Sequence, residues 1–176
     1  NSDSLVEEKI QSKVIPIKKL LRENKLNYTE FKINKKNLTF KISDLEKFER
    51  AMVNLMKSSK GIGLAANQVG ITKRFFVIGY ESFDVFTKPV IIWNPLIVRS
   101  SEETVEDVEG CLSFPGVNLF VKRPHKVKAK WTNENGKTVT EDLFGYDARC
   151  FLHELDHLNG ITFDEYVSPK EFKEAQ

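Results

Sequence analysis

Eight residues near the end of the chain, His153 to Gly160, read HELDHLNG and restrict the fold more than any other stretch. They contain His-Glu-x-x-His. Residues four apart on a helix share one face, about one turn along the axis. His153 and His157 so placed can both reach one divalent metal, each ring nitrogen about 2.0–2.1 Å from it. Glu154 follows the first of them, where a carboxylate can take a proton from a metal-bound water. The chemistry therefore needs a helix here. Ala148, Phe151, Leu152, Leu155 and Leu158 recur at helical spacing through Tyr146 to Asn159, so the helix has an apolar face that must pack on a core. Gly160 suits the left-handed position that closes a helix. The plain alternative is a surface helix with charged residues at a chance spacing. Against it, histidine is scarce: the chain has 3, and two of them fall in this motif.

Catalytic metal sites use three protein ligands and keep a position open. The candidates for the third are His125, Cys111, Cys150 and the carboxylates. Cys150 shares the helix face but precedes His157 by seven residues, a rise of roughly 10 Å, which a cysteine side chain hardly closes. It reads as pocket wall or core. Cys111, in the glycine-flanked EGCLSFPG from Glu109 to Gly116, reads equally as an inert thiol or as a thiolate completing a Cys-His-His set. Two cysteines are too few for a disulfide framework, so a reducing compartment is expected.

The rest of the chain reads as one α+β domain. The length of 176 residues, 40% hydrophobic and 30% charged, suits a single soluble core. No run approaches the ~18 apolar residues of a membrane span. A net charge of +2 favours neither nucleic acid nor anionic membrane. The N-terminal part is extended around Pro16, with helical tendency on either side. Phe31, Ile33, Leu38, Phe40 and Ile42 alternate with polar residues as short strands would, around a turn at Lys35-Lys36-Asn37. Ser43 and Glu46 form a capping-box pattern. Leu45, Phe48, Met52, Leu55 and Met56 then give one apolar helix face to about Ser59, stopped at Gly61. Gly61 to Gly70, GIGLAANQVG, has so little bulk that something must approach its backbone closely. It lacks the third glycine and helix of a dinucleotide site. Gln68 within it can donate from its amide to a polarised oxygen.

Arg74 to Tyr80 and Val90 to Val98 are short apolar runs that suit buried strands, the second broken by Asn94-Pro95 into an edge or a bulge. Glu102 to Glu109 holds five carboxylates in eight residues. Lys122 to Lys130 holds five cations and His125, an alternation that reads as a solvated strand face. His125 to Thr132 and Lys137 to Leu143 flank Asn135-Gly136, a hairpin signal. The expected architecture is α+β: mostly antiparallel sheets packed around a central helix that carries the metal motif.

GIGLAANQVG, EGCLSFPG and HELDHLNG, in that order, resemble the three motifs of the peptide deformylase family almost residue for residue. They cover 26 residues and bracket 100 of the 176. The resemblance implies a metal-dependent hydrolase that removes the formyl group from the formylmethionine of nascent polypeptides and releases formate. It implies Cys111, His153 and His157 as ligands of Fe²⁺, with Ni²⁺, Co²⁺ or Zn²⁺ as substitutes. Glu154 would be the general base and then acid, acting on the water that attacks the formyl carbonyl. Gln68 and the backbone N–H of Leu112 would form the oxyanion hole. The backbone around Ile62, Gly63 and Gly110 would pair with substrate as an added strand. The methionine pocket, by helical geometry, lies near Cys150, Tyr146 and Arg149, where Arg149 could pair with Glu109 or cap the rim; Glu109 is counted with the substrate-facing residues.

The first 40 residues do not clearly match the family's usual opening. In some bacterial members a long C-terminal helix contacts the ribosome; Ser168-Pro169 followed by Lys170 to Ala175 allows a short one here, which leaves a transient ribosome contact as an open expectation. The expected setting is a monomer without DNA or membrane partners, in the cytoplasm of a bacterium or phage-infected host. The stroma or matrix of an organelle, after loss of a transit segment, is the alternative. The competing enzyme reading, a zinc peptidase or other amidohydrolase, needs a carboxylate or histidine as third ligand and would tolerate Cys111→Ala.

Overall fold

A computed structural model of the chain describes residues 42–71 and 73–176, with the backbone alone for 42–45. The strand and turn expectations before residue 42, the extended stretch at Pro16 and the Ser43 side-chain cap lie outside what it describes. Helix α1 (Ile42–Ser58) opens the described chain. Ile42 and Ser43 already belong to it, so Ile42 ends no strand. Its apolar face, Phe48, Met52, Leu55 and Met56, is buried as the spacing predicts. Lys60 and Gly61 end it, the Gly61 N–H bonding to the Met56 carbonyl at 2.8 Å.

Strands β1 (Gly63–Ala65), β2 (Phe75–Ile78), β3 (Val90–Ser100), β6 (Lys126–Thr132) and β7 (Thr138–Phe144) form one antiparallel sheet in the order β1-β2-β3-β6-β7. Strands β4 (Thr104–Cys111) and β5 (Phe114–Pro124) pair separately as a long hairpin. Helix α2 (Gly145–Leu158) and helix α3 (Pro169–Ala175) complete the described elements, with 3-10 turns at Ala66–Val69 and Phe163–Tyr166.

The large sheet is covered on both faces, which explains the unbroken apolar run of β2. Phe75 and Val77 join the core beneath α1, with Leu64, Val69 and Ile91. Phe76 and Ile78 join the opposite core, with Val127, Ala129, Trp131 and, from α2, Ala148, Phe151 and Leu155. Strand β6 is covered on one face only, so it alternates. Asn94-Pro95 produces a bulge, not an edge: β3 is paired on both sides, the register shifts between Trp93 and Leu96, and Asn94 has φ 48°. The hairpin at Asn135-Gly136 forms, but Asn133 closes it: its Oδ1 accepts the N–H groups of Asn135 and Lys137, both at 3.0 Å.

A third core holds the metal motifs from the other side. Val117, Leu119 and Val121 of β5 pack with Phe163, joined by Phe114 and by Phe172 of α3. The short C-terminal helix is therefore a prop for the loop just after Cys111. Helix α2 ends as expected, with Gly160 at φ 76° and the Ile161 N–H bonded to the Asp156 carbonyl at 2.8 Å. Its start is anchored by Asp147, whose carboxylate accepts the backbone N–H groups of Asp84, Val85 and Phe86 at 2.9, 3.1 and 3.0 Å. No helix among the described residues is long and apolar enough to cross a membrane.

Candidate active site

Helix α2 presents His153 and His157 on one face, with their Nε2 atoms 3.2 Å apart. The end of β4 brings Cys111 to them, its Sγ 3.3 Å from His157 Nε2. One donor atom from each of the three residues falls within 4.8 Å of the others. Among the described residues this is the cluster that could hold a metal ion. Cys150, on the same helix, is buried away from it with its thiol toward the Ile62 carbonyl, at 3.7 Å.

The surroundings fit a cation. His153 Nδ1 lies 2.8 Å from Glu109 Oε1, which orients the ring and leaves Nε2 facing Cys111 and His157. Burial works against charge on His153, but the bonds to Cys111 and Glu109 and the Glu154 charge outweigh it, and its pKa is pushed up to about 10. A divalent ion held at Nε2 would supply that positive charge in place of a proton. The donor set, a soft thiolate with two imidazoles, suits first-row transition metals and not Mg²⁺ or Ca²⁺.

Glu154 is buried beside these three residues, and its Oε2 has no hydrogen-bond partner among the described residues. Burial lifts its pKa to about 7. Its other oxygen lies against Gly63: a methyl group built on that glycine would sit 2.7 Å from Oε1. The close approach expected of the glycine-rich segment is thus made, in part, by the chain's own carboxylate. Gln68 sits in the 3-10 turn that follows β1. The Ala65 N–H donates to its Oε1 at 2.9 Å, which fixes the amide so that Nε2 donates to Ser113 Oγ at 2.9 Å and points toward Cys111 Sγ at 3.8 Å.

A cavity of about 950 Å³ opens over these groups. Ile62, Gly63, Glu109, Gly110, Cys111, Leu112, Tyr146, Arg149, Cys150, His153 and Glu154 line it, while Gln68 and His157 stand behind its wall. It lies between two strands with an open edge each among the described residues, where β1 pairs only with β2 and β4 only with β5. Gly63 is paired with Ile78, and the Ile62 carbonyl accepts the Gly79 N–H at 2.9 Å. That pattern turns the N–H and C=O of Gly63 away from β2, toward the open edge. Within the backbone around Ile62 expected to meet substrate, the Ile62 carbonyl is spent within the sheet and Gly63 carries the open edge.

Two expectations about charge need revision. Glu109 lines the cavity but presents no free acceptor, because Arg123 Nε and NH2, Arg149 NH1 and His153 Nδ1 all lie 2.8 Å from its oxygens. Burial alone would raise its pKa; Arg123 and His153 reverse the effect and hold it to about 2. Arg123, read from sequence as part of a solvated face, is only 3% exposed, and its NH1 also pairs with Asp156 at 2.6 Å. Ser113 and Arg123 carried no local signal, since their partners lie 45 and 14 residues away. Glu109 did carry one: two residues before Cys111 on a strand, it shares that residue's face.

The family model for polypeptide deformylase matches residues 20–173, beginning inside the segment that the sequence reading set apart as divergent. The peptide deformylase of Thermotoga maritima is 44% identical over 126 residues, covering 72% of this chain and 74% of that one. Its crystal structure superposes with a TM-score of 0.67 at 42% identity, over 74% of this chain and 86% of that one. The Synechococcus elongatus peptide deformylase, solved in complex with actinonin, gives a TM-score of 0.69 at 41% identity over 78% and 74% of the two chains. Sequence, fold and the converging cysteine and histidines agree, and the chain belongs to the peptide deformylase family.

Proposed function

We propose that this chain hydrolyses the N-formyl group of the formylmethionine that begins nascent polypeptides, releasing formate and a free amino terminus, and that the 176 residues form one catalytic domain. The observation that carries the reading is the convergence of Cys111, His153 and His157 beside an unpartnered, buried Glu154. Cys111, His153 and His157 would hold one divalent metal. When bound, such an ion supplies Lewis acidity, making a water more acidic and polarising the formyl oxygen. Fe²⁺ is the native ion in this reading, with Ni²⁺, Co²⁺ or Zn²⁺ as substitutes. A thiolate beside ferrous iron makes the enzyme oxygen-sensitive.

Glu154 takes the proton of the attacking water as the water oxygen bonds to the formyl carbon. It then delivers that proton to the amine nitrogen as the C–N bond breaks. A pKa of about 7 suits both halves of this exchange, because the carboxyl is neither too weak a base nor too weak an acid at neutral pH. The Gln68 amide carries two N–H groups; Ser113 takes one at 2.9 Å and the other meets Cys111 Sγ at the longer 3.8 Å, from which the oxygen that gains charge would draw it. The backbone N–H of Leu112, at the cavity wall, is the second donor. Gly63 offers its N–H and C=O to an extended substrate backbone. Gly110 does so across the cavity, and Cys150 with Tyr146 walls the methionine pocket. The protein acts as a monomer in the cytoplasm, or the stroma or matrix of an organelle, on chains as they leave the ribosome, without DNA or membrane partners.

The test is formate release from a short formyl-methionyl peptide by anaerobically Fe²⁺- or Ni²⁺-loaded protein, beside Cys111→Ala and Glu154→Ala. Release by the parent and loss in both variants is expected. A folded, metal-loaded parent that releases no formate would overturn the reading.

A further inference from the structure

We propose that Arg149 is a positioning residue for the metal set: its guanidinium holds the β4–β5 hairpin, and with it Cys111, at the distance from α2 that brings the thiolate to the two imidazoles. The proposal rests on the Cys111–His153–His157 reading above.

The ligand set is split between two elements. Helix α2 alone fixes His153 relative to His157, but Cys111 belongs to a hairpin outside the large sheet. Phe172 of α3 and the Gln68–Ser113 bond hold the loop just after Cys111, and the distance to the two histidines is set by contacts between α2 and the hairpin. These run as a ladder. His157 meets Cys111 at 3.3 Å, and one turn earlier His153 meets Glu109 at 2.8 Å. One turn earlier again, Arg149 meets Glu109 at 2.8 Å and goes on to the hairpin backbone. Its NH1 donates to the Val121 carbonyl and its NH2 to the Val105 carbonyl, both at 2.7 Å. One side chain of α2 thus grips both strands of the hairpin and the carboxylate that orients His153.

The chemistry explains why arginine stands there. The planar fork places NH1 on Glu109 and the Val121 carbonyl and NH2 on the Val105 carbonyl, whereas a lysine has one nitrogen and no second donor group held at a fixed angle to it for Val105. Arg149 is 6% exposed and both of its terminal nitrogens are bonded within the fold, so its charge is turned to the hairpin and not to substrate. Arg123 already neutralises Glu109 through two contacts. What Arg149 adds is the tie to the backbone.

The test compares the parent with Arg149→Leu, Arg149→Lys and Cys111→Ala, each prepared metal-free and then given Co²⁺ without oxygen. Three quantities are read: Co²⁺ affinity by competition with a chelator, the thiolate-to-Co²⁺ charge-transfer band, and the urea midpoint of the metal-free protein. Weaker binding by about 10–100-fold, the usual cost of losing an outer support of a metal site, is expected in both Arg149 variants, with a diminished band. Lysine, despite its charge, should fail to rescue. If the leucine variant does not fold, the lysine variant decides. A folded Arg149 variant whose affinity stays within twofold of the parent overturns the proposal, even if its urea midpoint falls, because that marks a purely structural role. A parent without a cysteine-dependent band overturns the ligand set itself, and the proposal with it, which is a distinct outcome.

Discussion

Gly63→Ala adds one methyl group and tests how tightly the proposed base is held. Gly63 is not among the glycines with positive φ, so alanine fits the backbone and only the side chain is tested. The new methyl would lie 2.7 Å from Glu154 Oε1, 2.9 Å from Cγ and 3.0 Å from Cδ. An ordinary contact is about 3.5 Å. The carboxylate must therefore retreat by roughly 0.8 Å, or the strand must move by as much, inside a packed site. A displacement of about 1 Å at a reacting group can cost ~10²-fold in rate. We expect kcat for formate release to fall by about 30–100-fold, or ~2–2.7 kcal/mol of transition-state stabilisation. KM should change little, because alanine keeps the backbone N–H and C=O that face the substrate. Overpacking should also lower stability by about 1–3 kcal/mol in urea unfolding. Metal content per chain should equal the parent's, since neither histidine nor Cys111 is touched. A variant with full metal and kcat within threefold of the parent would show that Glu154 need not stand where it does, and would refute its assignment as the base.

Glu109 has a native pKa of about 2 against an ordinary value of 4.5, so its stabilisation is present above pH 4.5 and is lost as pH falls toward 2. Urea unfolding should show Glu109→Gln less stable than the parent by about 3 kcal/mol at pH 7, with the gap shrinking below pH 4.5; a constant gap would argue against the ion-pair account. Ser113→Ala removes one of the bonds that aim the Gln68 amide and leaves the Ala65 N–H on its Oε1, so steady-state kinetics should show a drop in kcat of about tenfold at constant KM, smaller than the ~10²–10³-fold expected for Gln68→Ala. Asp147→Ala orphans three backbone N–H groups, of which that of Phe86 is buried. It should cost about 2–3 kcal/mol in urea and expose the 81–89 amides to hydrogen exchange; unchanged exchange there would count against the anchor.

Much of the site was legible because its chemistry is local in sequence. His153, Glu154 and His157 lie within one helical turn and a half, on a segment whose apolar spacing already demands a helix. Gln68 and Gly63 sit in one glycine-rich stretch. What was illegible depends on pairing across the chain. The β4–β5 hairpin hides behind its charges: the outward Glu106 opposes Lys122, and the buried Arg123 opposes Val105, itself exposed near the hairpin's end. A charged face masks the alternation by which strands are recognised, and the same charges made Arg123 look solvated. Only the register shows that Arg123 lies on the inner face, where Glu109 needs it. Arg149 is the intermediate case. Helical spacing placed it near the pocket and offered Glu109 as a partner, but its grip on the Val105 and Val121 carbonyls could not be read without the hairpin.

The division of labour between rigid helix and open strand edges also accounts for how one enzyme can serve chains of any sequence. Affinity that comes from main-chain hydrogen bonds along β1 and β4 is blind to side chains. Discrimination must then come from the two places where the cavity meets something specific. One is the pocket beside Cys150 and Tyr146, which an unbranched apolar side chain can fill. The other, in the proposed mechanism, is the floor at Cys111, His153 and Glu154, where a small formyl group would reach both base and metal site and a bulkier acyl group would meet Gly63 and Leu112. Gly61 and Gly63 sharpen this limit, since a Cβ at either would lie 2.7 Å from Leu112 or Glu154 respectively. That leaves the floor no slack to widen. In the proposed mechanism the missing side chains at Gly61 and Gly63 are therefore part of the selectivity: they let Leu112 and Glu154 close in where a one-carbon acyl group would sit while the substrate backbone lies flat along the edge.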